Sequence, residues 1–76
     1  MGRVHTIGKV VIWVYANDHP PPHFHILSPD AEALIEIETF DLYAGEIPRG
    51  ASARKLMEWA RANVDQLRAA WNALNP

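Results

Sequence analysis

The sequence contains no cysteine, which excludes disulfide bonds and every metal site built on thiolate ligands. Basic residues are few: the chain has seven Lys and Arg and nine Asp and Glu, which gives a formal net charge of −2. General nucleic-acid binding requires a concentrated positive surface, so it is not expected here. No apolar run approaches the roughly 18–20 residues that span a bilayer, and the first residues lack the apolar core of a secretory signal. We therefore expect a cytoplasmic protein without a membrane segment.

The composition is otherwise that of a folded domain. Of the 76 residues, 49% are hydrophobic, and no repeat or linker divides the chain. These features predict one domain over residues 1–76 rather than a disordered chain. A core of this size is close to the lower limit for independent folding. We therefore expect a second copy of the chain or a small partner protein to bury further apolar surface.

The beginning of the chain predicts two β-strands. The stretch 9–16 is rich in β-branched and aromatic residues and is too short for a typical helix. Gly8 precedes this stretch and favours a turn, so Arg3–Ile7 is predicted as a short partner strand. Residues 41–50 contain glycine and proline and are predicted to form an irregular connection.

A β-hairpin is predicted from residues 23–27 and 32–39, around the turn-forming residues Ser-Pro-Asp-Ala at 28–31. An even loop places Leu27 opposite Glu32 and His23 opposite Glu36. One face is then an apolar core face that carries Phe24, Ile26, Ala33, Ile35 and Ile37. The other face carries His23, His25, Glu32, Leu34, Glu36 and Glu38. A shift of one residue would mix the two sets, so the pattern supports this register.

The C-terminal third predicts a helix. Ser52 is a suitable N-cap, and the residues that follow helical spacing are Leu56, Trp59, Ala60, Asn63, Leu67, Ala70, Trp71 and Leu74. Residues 63–66 resemble a capping box that would start a second helix. The pattern nevertheless runs through Asn63 and favours one long helix, with or without a kink. Such a helix is longer than the strands, so Trp71 and Leu74 would need the N-terminal strand or a second subunit to cover them.

The predicted fold class is therefore α+β. An N-terminal antiparallel sheet of three or four strands is expected to pack against the long C-terminal helix.

Three of the four histidines lie in the segment His-Pro-Pro-Pro-His-Phe-His at 19–25. On a strand, His23 and His25 project from the same face about 6.5–7 Å apart and can share one ion. His19 would lie ~12 Å from His23 along an extended proline segment, and a bend or a cis bond would bring it closer. Glu36, opposite His23, is a fourth ligand or an orienting residue. The candidate metal ligands are thus His19, His23, His25 and Glu36, and Zn²⁺ is the candidate ion.

Two other interpretations of the histidine cluster stay open. In a catalytic interpretation, His19, His23 and Glu36 supply a general base and the group that orients it, for cleavage of RNA or another phosphodiester. In a structural interpretation, the prolines set the connection between two strands, and His23 and His25 face solvent. The spacing of the residues does not decide among the three.

The order of these features resembles the DUF4160 family of small bacterial proteins of unknown function. The shared features are the histidine–proline motif at 19–25, the acidic strand at 32–38, Gly50-Ala51-Ser52, and Leu67 followed by Trp71. The resemblance covers nearly the whole chain. It implies a cytoplasmic protein that acts with a small partner encoded nearby, in a toxin–antitoxin-like pair, with the histidine cluster as its site. The alternative is a stand-alone zinc-binding domain or a histidine-dependent hydrolase or ribonuclease, with or without a metal.

Overall fold

A computed structural model describes residues 2–76 of the chain, which form a sheet followed by two helices. The strands pair antiparallel with their neighbours in chain order. The elements are β1 (Arg3–Ile7), β2 (Val10–Trp13), β3 (His23–Leu27), β4 (Glu32–Glu36), β5 (Leu42–Gly45), α1 (Ala51–Ala62) and α2 (Val64–Leu74). The predicted α+β class is confirmed. The predicted three or four strands and single long helix are wrong, because the described residues form five strands and two helices.

The central hairpin has the predicted register. His23 pairs with Glu36 and Leu27 pairs with Glu32. Every residue of the predicted core face is at most 1% exposed, namely Phe24, Ile26, Ala33, Ile35 and Ile37. Leu56 of α1 and Leu67 of α2 are fully buried in the same cluster. The helices therefore cover this face of the sheet and form the core with it.

Strand β5 lies where an irregular connection was predicted. β4 ends at Glu36 rather than at residue 39, because the chain turns back there. Phe40 has a positive φ of 60° and donates its N–H to the carbonyl of Glu36, which closes this turn. β5 then pairs with β4 through a bulge. All four residues of β5 are exposed. The sequence of β5 therefore lacks the alternation of apolar and polar residues by which a half-buried strand is recognised.

Asn63 divides the predicted long helix in two. Its backbone leaves the helical region, with φ −129° and ψ 37°, and its N–H donates to the carbonyl of Ala60. The Asn63 side-chain amide donates to the carbonyl of Trp59, and the Asn63 carbonyl accepts the N–H of Leu67. Asn63 thus ends α1 and begins α2, as the capping signal at 63–66 had indicated. Neither helix described here is long and apolar enough to cross a membrane.

The start of α1 also differs from the prediction. The N-cap is Gly50, with a positive φ of 107°, and no side chain caps the helix. Ser52 is the second helical residue, so its predicted role as N-cap is wrong. Ser52 faces the turn between β1 and β2, where its Oγ would be the nearest neighbour of any side chain placed at Gly8.

The end of α2 is covered from within the chain, at Trp71, by the β2–β3 connection and by β3 rather than by the N-terminal strand. Trp71 is 5% exposed and its ring lies 5.1 Å from that of His23, between centroids. The carbonyl of Leu74 accepts the N–H of Asn17. The β2–β3 connection, residues 14–22, therefore closes over the C-terminal turn of α2. This contact brings together the segments that form the candidate site.

The packing of α1 on the sheet gives a direct test of the fold. We expect Leu56→Ala to lower the free energy of unfolding by about 2–5 kcal/mol, because it leaves a cavity under a fully buried side chain. Lys55→Ala, at the neighbouring exposed position, should change it by less than about 0.5 kcal/mol. Urea denaturation of both variants checks this. Equal effects of the two substitutions would contradict the described packing.

Candidate metal centre

The β2–β3 connection brings the carboxylate of Asp18 to the two histidines of β3. Its Oδ2 lies 2.9 Å from Nε2 of His23 and 3.4 Å from Nε2 of His25. All three donor atoms lie within 4.8 Å of one another. Donor atoms at 2.0–2.1 Å from a tetrahedral Zn²⁺ lie about 3.3 Å apart. The spacing of the group therefore fits three ligands of one ion.

The ring of His23 is oriented so that its Nε2 faces Asp18 and His25. The side chain is 1% exposed, and Nδ1 lies 2.7 Å from the carbonyl oxygen of Pro21. A carbonyl only accepts, so Nδ1 must donate, and Nε2 of the neutral ring carries a lone pair. Nε2 is a buried atom without a hydrogen-bond partner among residues 2–76. The Asp18 oxygen is close to Nε2, but its direction does not suit a hydrogen bond.

His25 is oriented in the same way by a different partner. Its Nδ1 lies 2.9 Å from Oε2 of Glu32, a carboxylate that accepts the ring proton. Nε2 lies 3.4 Å from Oδ2 of Asp18: it donates a hydrogen bond to this oxygen if it carries a proton, and it directs a lone pair at Asp18 if it does not. The edge of His25 packs against Tyr15, with 4.5 Å between ring centroids. Both histidines therefore have the second partner that metal-bound histidines typically have, a carbonyl or a carboxylate at the other ring nitrogen.

A positive charge would stabilise this arrangement. If His23 and His25 are neutral, both direct lone pairs at the ionised carboxylate of Asp18, and acceptors at this distance repel one another. A second proton on the rings can supply the charge, and so can a metal ion. Either one leaves both Nδ1 hydrogen bonds in place, and a metal ion would be bound by all three donor atoms.

Asp18 is ionised in this environment. Burial raises its pKa, but the hydrogen bond from the backbone N–H of His19 and the contacts with the side chains of His25 and His23 together lower the pKa below its ordinary value. Because the pKa of Asp18 is lowered in the folded state, its carboxylate stabilises the fold at pH values above the unfolded-state pKa. This stabilisation is lost as the pH falls through the folded-state pKa. At neutral pH, Asp18 is therefore a carboxylate that can bind a cation.

Asn75 fixes the position of Asp18 from the end of α2. Its Oδ1 accepts the backbone N–H of Asp18 at 2.7 Å. Its Nδ2 donates to the carbonyls of Tyr15, at 3.0 Å, and Trp71, at 3.2 Å. One side chain thus joins the loop, at Tyr15 and at Asp18, to the last turn of the helix. The backbone of Asp18 cannot move away from the histidines without loss of these bonds.

The predicted site residues do not all enter the group. His23 and His25 do, and both are buried, so the interpretation that placed them on a solvent face is wrong. The side chain of His19 is 79% exposed, and its ring centroid lies 6.4 Å from that of His23. Glu36 pairs with His23 in the sheet but lies outside the group of three. Ligation by His19 or Glu36, and catalysis by His19, His23 and Glu36, stay predictions.

Asp18 was missed by the sequence reasoning. The signal available was an acidic residue directly before the histidine–proline motif. Its contact with β3 depends on the path of the loop, which the spacing of residues does not give.

The comparisons with known proteins identify the family. The sequence model of the family described as "Domain of unknown function (DUF4160)" matches residues 9–72, and the chain therefore belongs to this family. The matched segment contains Asp18, His23 and His25. No curated protein and no solved structure matches the chain significantly.

The contact between Asn75 and the Asp18 loop can be tested directly. We expect Asn75→Ala to lower the free energy of unfolding by about 1–3 kcal/mol, because it leaves part-buried backbone groups without partners. The amide of Asp18 should exchange with solvent faster in this variant. Asn72→Ala, at an exposed position of the same helix, is the matched control. Hydrogen exchange followed by NMR checks this, and an unchanged Asp18 amide in Asn75→Ala would contradict the contact.

Proposed function

We propose that the protein is a metal-binding domain that holds a divalent transition metal through Asp18, His23 and His25. The observation that supports this is the direction of the two imidazoles. Each Nδ1 is engaged as a donor, so each Nε2 is left to face the carboxylate.

Zn²⁺, or an ion with similar ligand preferences, suits this group best. Two imidazoles and one carboxylate are ligands that Zn²⁺ accepts, and the chain has no thiolate to offer. Ca²⁺ and Mg²⁺ prefer sites made of oxygen ligands, which this group does not provide. Glu32 and the Pro21 carbonyl would orient the two histidines toward the ion.

The metal proposal is tested by thermal melting of tag-free protein with Zn²⁺ and with a chelator. At a hundredfold excess over the dissociation constant, binding to the folded state alone adds about 2.7 kcal/mol. For a domain of this size, that should raise the melting temperature by roughly ten degrees or more. The affinity should decrease in acid, because protons compete for the ligand nitrogens.

Substitutions separate this site from unspecific binding. Asp18→Asn keeps the shape of the side chain and should abolish the shift, as should the double change His23→Ala and His25→Ala. His5→Ala and Asp30→Asn should keep it, because His5 stacks on Trp59 at 4.2 Å and Asp30 is exposed in the β3–β4 turn. Identical melting curves of the wild type with Zn²⁺ and with chelator would refute the proposal.

A protein partner is the second proposed function, in the toxin–antitoxin-like pair that the family resemblance implies. The observation that favours it is the edge strand β5, where Leu42 and Tyr43 are 49% and 46% exposed. An edge strand with unpaired backbone groups and exposed apolar side chains is a template for strand addition by another chain.

Co-expression with the neighbouring open reading frame, followed by pull-down and a growth assay, tests the partner. We expect a complex and a growth phenotype, and both should be weakened by Leu42→Lys; Tyr43 is left unchanged because its ring stacks on that of His23. Ala69→Lys, on the exposed face of α2, is the control and should have no effect. Failure to form a complex, together with normal growth, would refute this second function.

A further inference from the structure

The charged residues are distributed unevenly along the chain. Lys and Arg are absent from residues 10–48, which contain seven of the nine acidic residues. These seven are Asp18, Asp30, Glu32, Glu36, Glu38, Asp41 and Glu46. Glu38 pairs with Arg68, whereas Asp41 and Glu46 form no ion pair within residues 2–76. The two carboxylates are therefore available to cationic groups from outside the molecule.

Asp41 and Glu46 lie directly before and directly after the edge strand β5. Backbone hydrogen bonds hold both residues to β4. The N–H of Glu36 donates to the carbonyl of Asp41 at 3.0 Å, and the N–H of Glu46 donates to the carbonyl of Glu32 at 2.9 Å. Both Asp41 and Glu46 are exposed, and at about 3.4 Å per residue they lie ~17 Å apart along the edge. The edge therefore has a negative charge at each end.

The middle of this edge is apolar and exposed. Four large hydrophobic side chains are exposed among residues 2–76, and Leu42, Tyr43 and Ile47, in or just after β5, are three of them. β5 contains no charged residue and no proline, which are devices that keep other strands from pairing with an edge. One side of the backbone of β5 has no neighbouring strand, so it can form hydrogen bonds with a strand of another chain.

The charges at the ends of β5 limit which strand can pair with it. If β5 of a second copy paired with it in the antiparallel direction, Asp41 of one copy would lie near Glu46 of the other. Like charges that face each other across two strands are destabilising. The other edge strand, β1, carries the basic residue Arg3, but a bulge between Arg3 and His5 interrupts its regular pairing. A basic strand of a different protein fits both ends of β5 better than either edge of a second copy.

We propose, on the basis of the partner function proposed above, that β5 binds a β-strand of a partner protein in which apolar residues lie between two Lys or Arg about five positions apart. Backbone hydrogen bonds add this strand to the sheet, and its apolar side chains cover Leu42 and Ile47. The two basic side chains pair with Asp41 and Glu46. Backbone and apolar contacts supply most of the affinity, and the charges supply the specificity.

The test uses two cyclised β-hairpin peptides and NMR titration of the ¹⁵N-labelled protein. The free strands of the two hairpins share the same valine and threonine residues, and they end in lysine in one hairpin and in glutamate in the other. A preformed hairpin avoids the cost of ordering a strand on binding. The lysine hairpin should shift the amide signals of β5. It should bind about tenfold more tightly than the glutamate hairpin, because two cross-strand pairs are attractive in one and repulsive in the other. Added salt should reduce this difference.

Two variants with the same net charge locate the effect. Asp41→Lys combined with Glu46→Lys should reverse the preference, so that the glutamate hairpin binds more tightly. Glu58→Lys combined with Asp65→Lys changes the net charge by the same amount at exposed positions of the two helices, and it should keep the preference of the wild type. Equal effects of the two double changes would attribute the preference to net charge and would refute the proposal.

The remaining outcomes also count against the proposal. Binding of neither hairpin, equal binding of both, or amide shifts confined to β1 would refute the proposed strand. The co-expression experiment described above decides separately whether a partner exists, so the two proposals can fail independently. Sedimentation of the wild type without peptide should show a monomer. Self-association that is lost in Asp41→Lys combined with Glu46→Lys would make a second copy the occupant of β5 and would contradict the proposal.

Discussion

The structure depends on the convergence of two imidazoles and one carboxylate at the end of the sheet. His23 and His25 cannot turn away, because the Pro21 carbonyl and Glu32 each hold one ring nitrogen. The backbone of Asp18 is held beside them by its hydrogen bond to Asn75. Three electron-rich atoms are thus fixed within 4.8 Å of one another. Neutral rings and an ionised carboxylate would repel one another at this distance unless a proton or a metal ion lies between them.

Protons and a metal ion meet this requirement in different ways. Protonation places cationic rings against Asp18, one of them on the 1%-exposed side chain of His23. The two cations would also lie close together, with ring centroids 5.2 Å apart. A divalent ion places one centre of charge between all three donor atoms. This second arrangement is the one that we propose for the protein.

The fold could be predicted where side chains alternate between core and surface. The register of β3 and β4 follows from that alternation, because Phe24, Ile26 and Ile35 are buried by the helices. β5 lacked this signal, since both of its faces are exposed. At Asn63 the sequence contained two conflicting signals: the apolar pattern predicted one continuous helix, and the capping signal at 63–66 predicted the start of a second helix. The helix is interrupted at Asn63, as the local signal predicted. The sequence pattern thus predicts a strand correctly where one face is buried and the other is exposed. It is not sufficient where this alternation is absent or where local and periodic signals disagree.

The candidate site could be predicted only in part, for a related reason. His23 and His25 are neighbours on one strand, so their spacing alone places them together. Asp18 reaches them through a loop, and that loop is held by Asn75, which is 57 residues away from Asp18 in the sequence. No local pattern reports such a contact. It follows that the ligand group joins a loop to a strand, and that the loop is held in turn by the end of a helix.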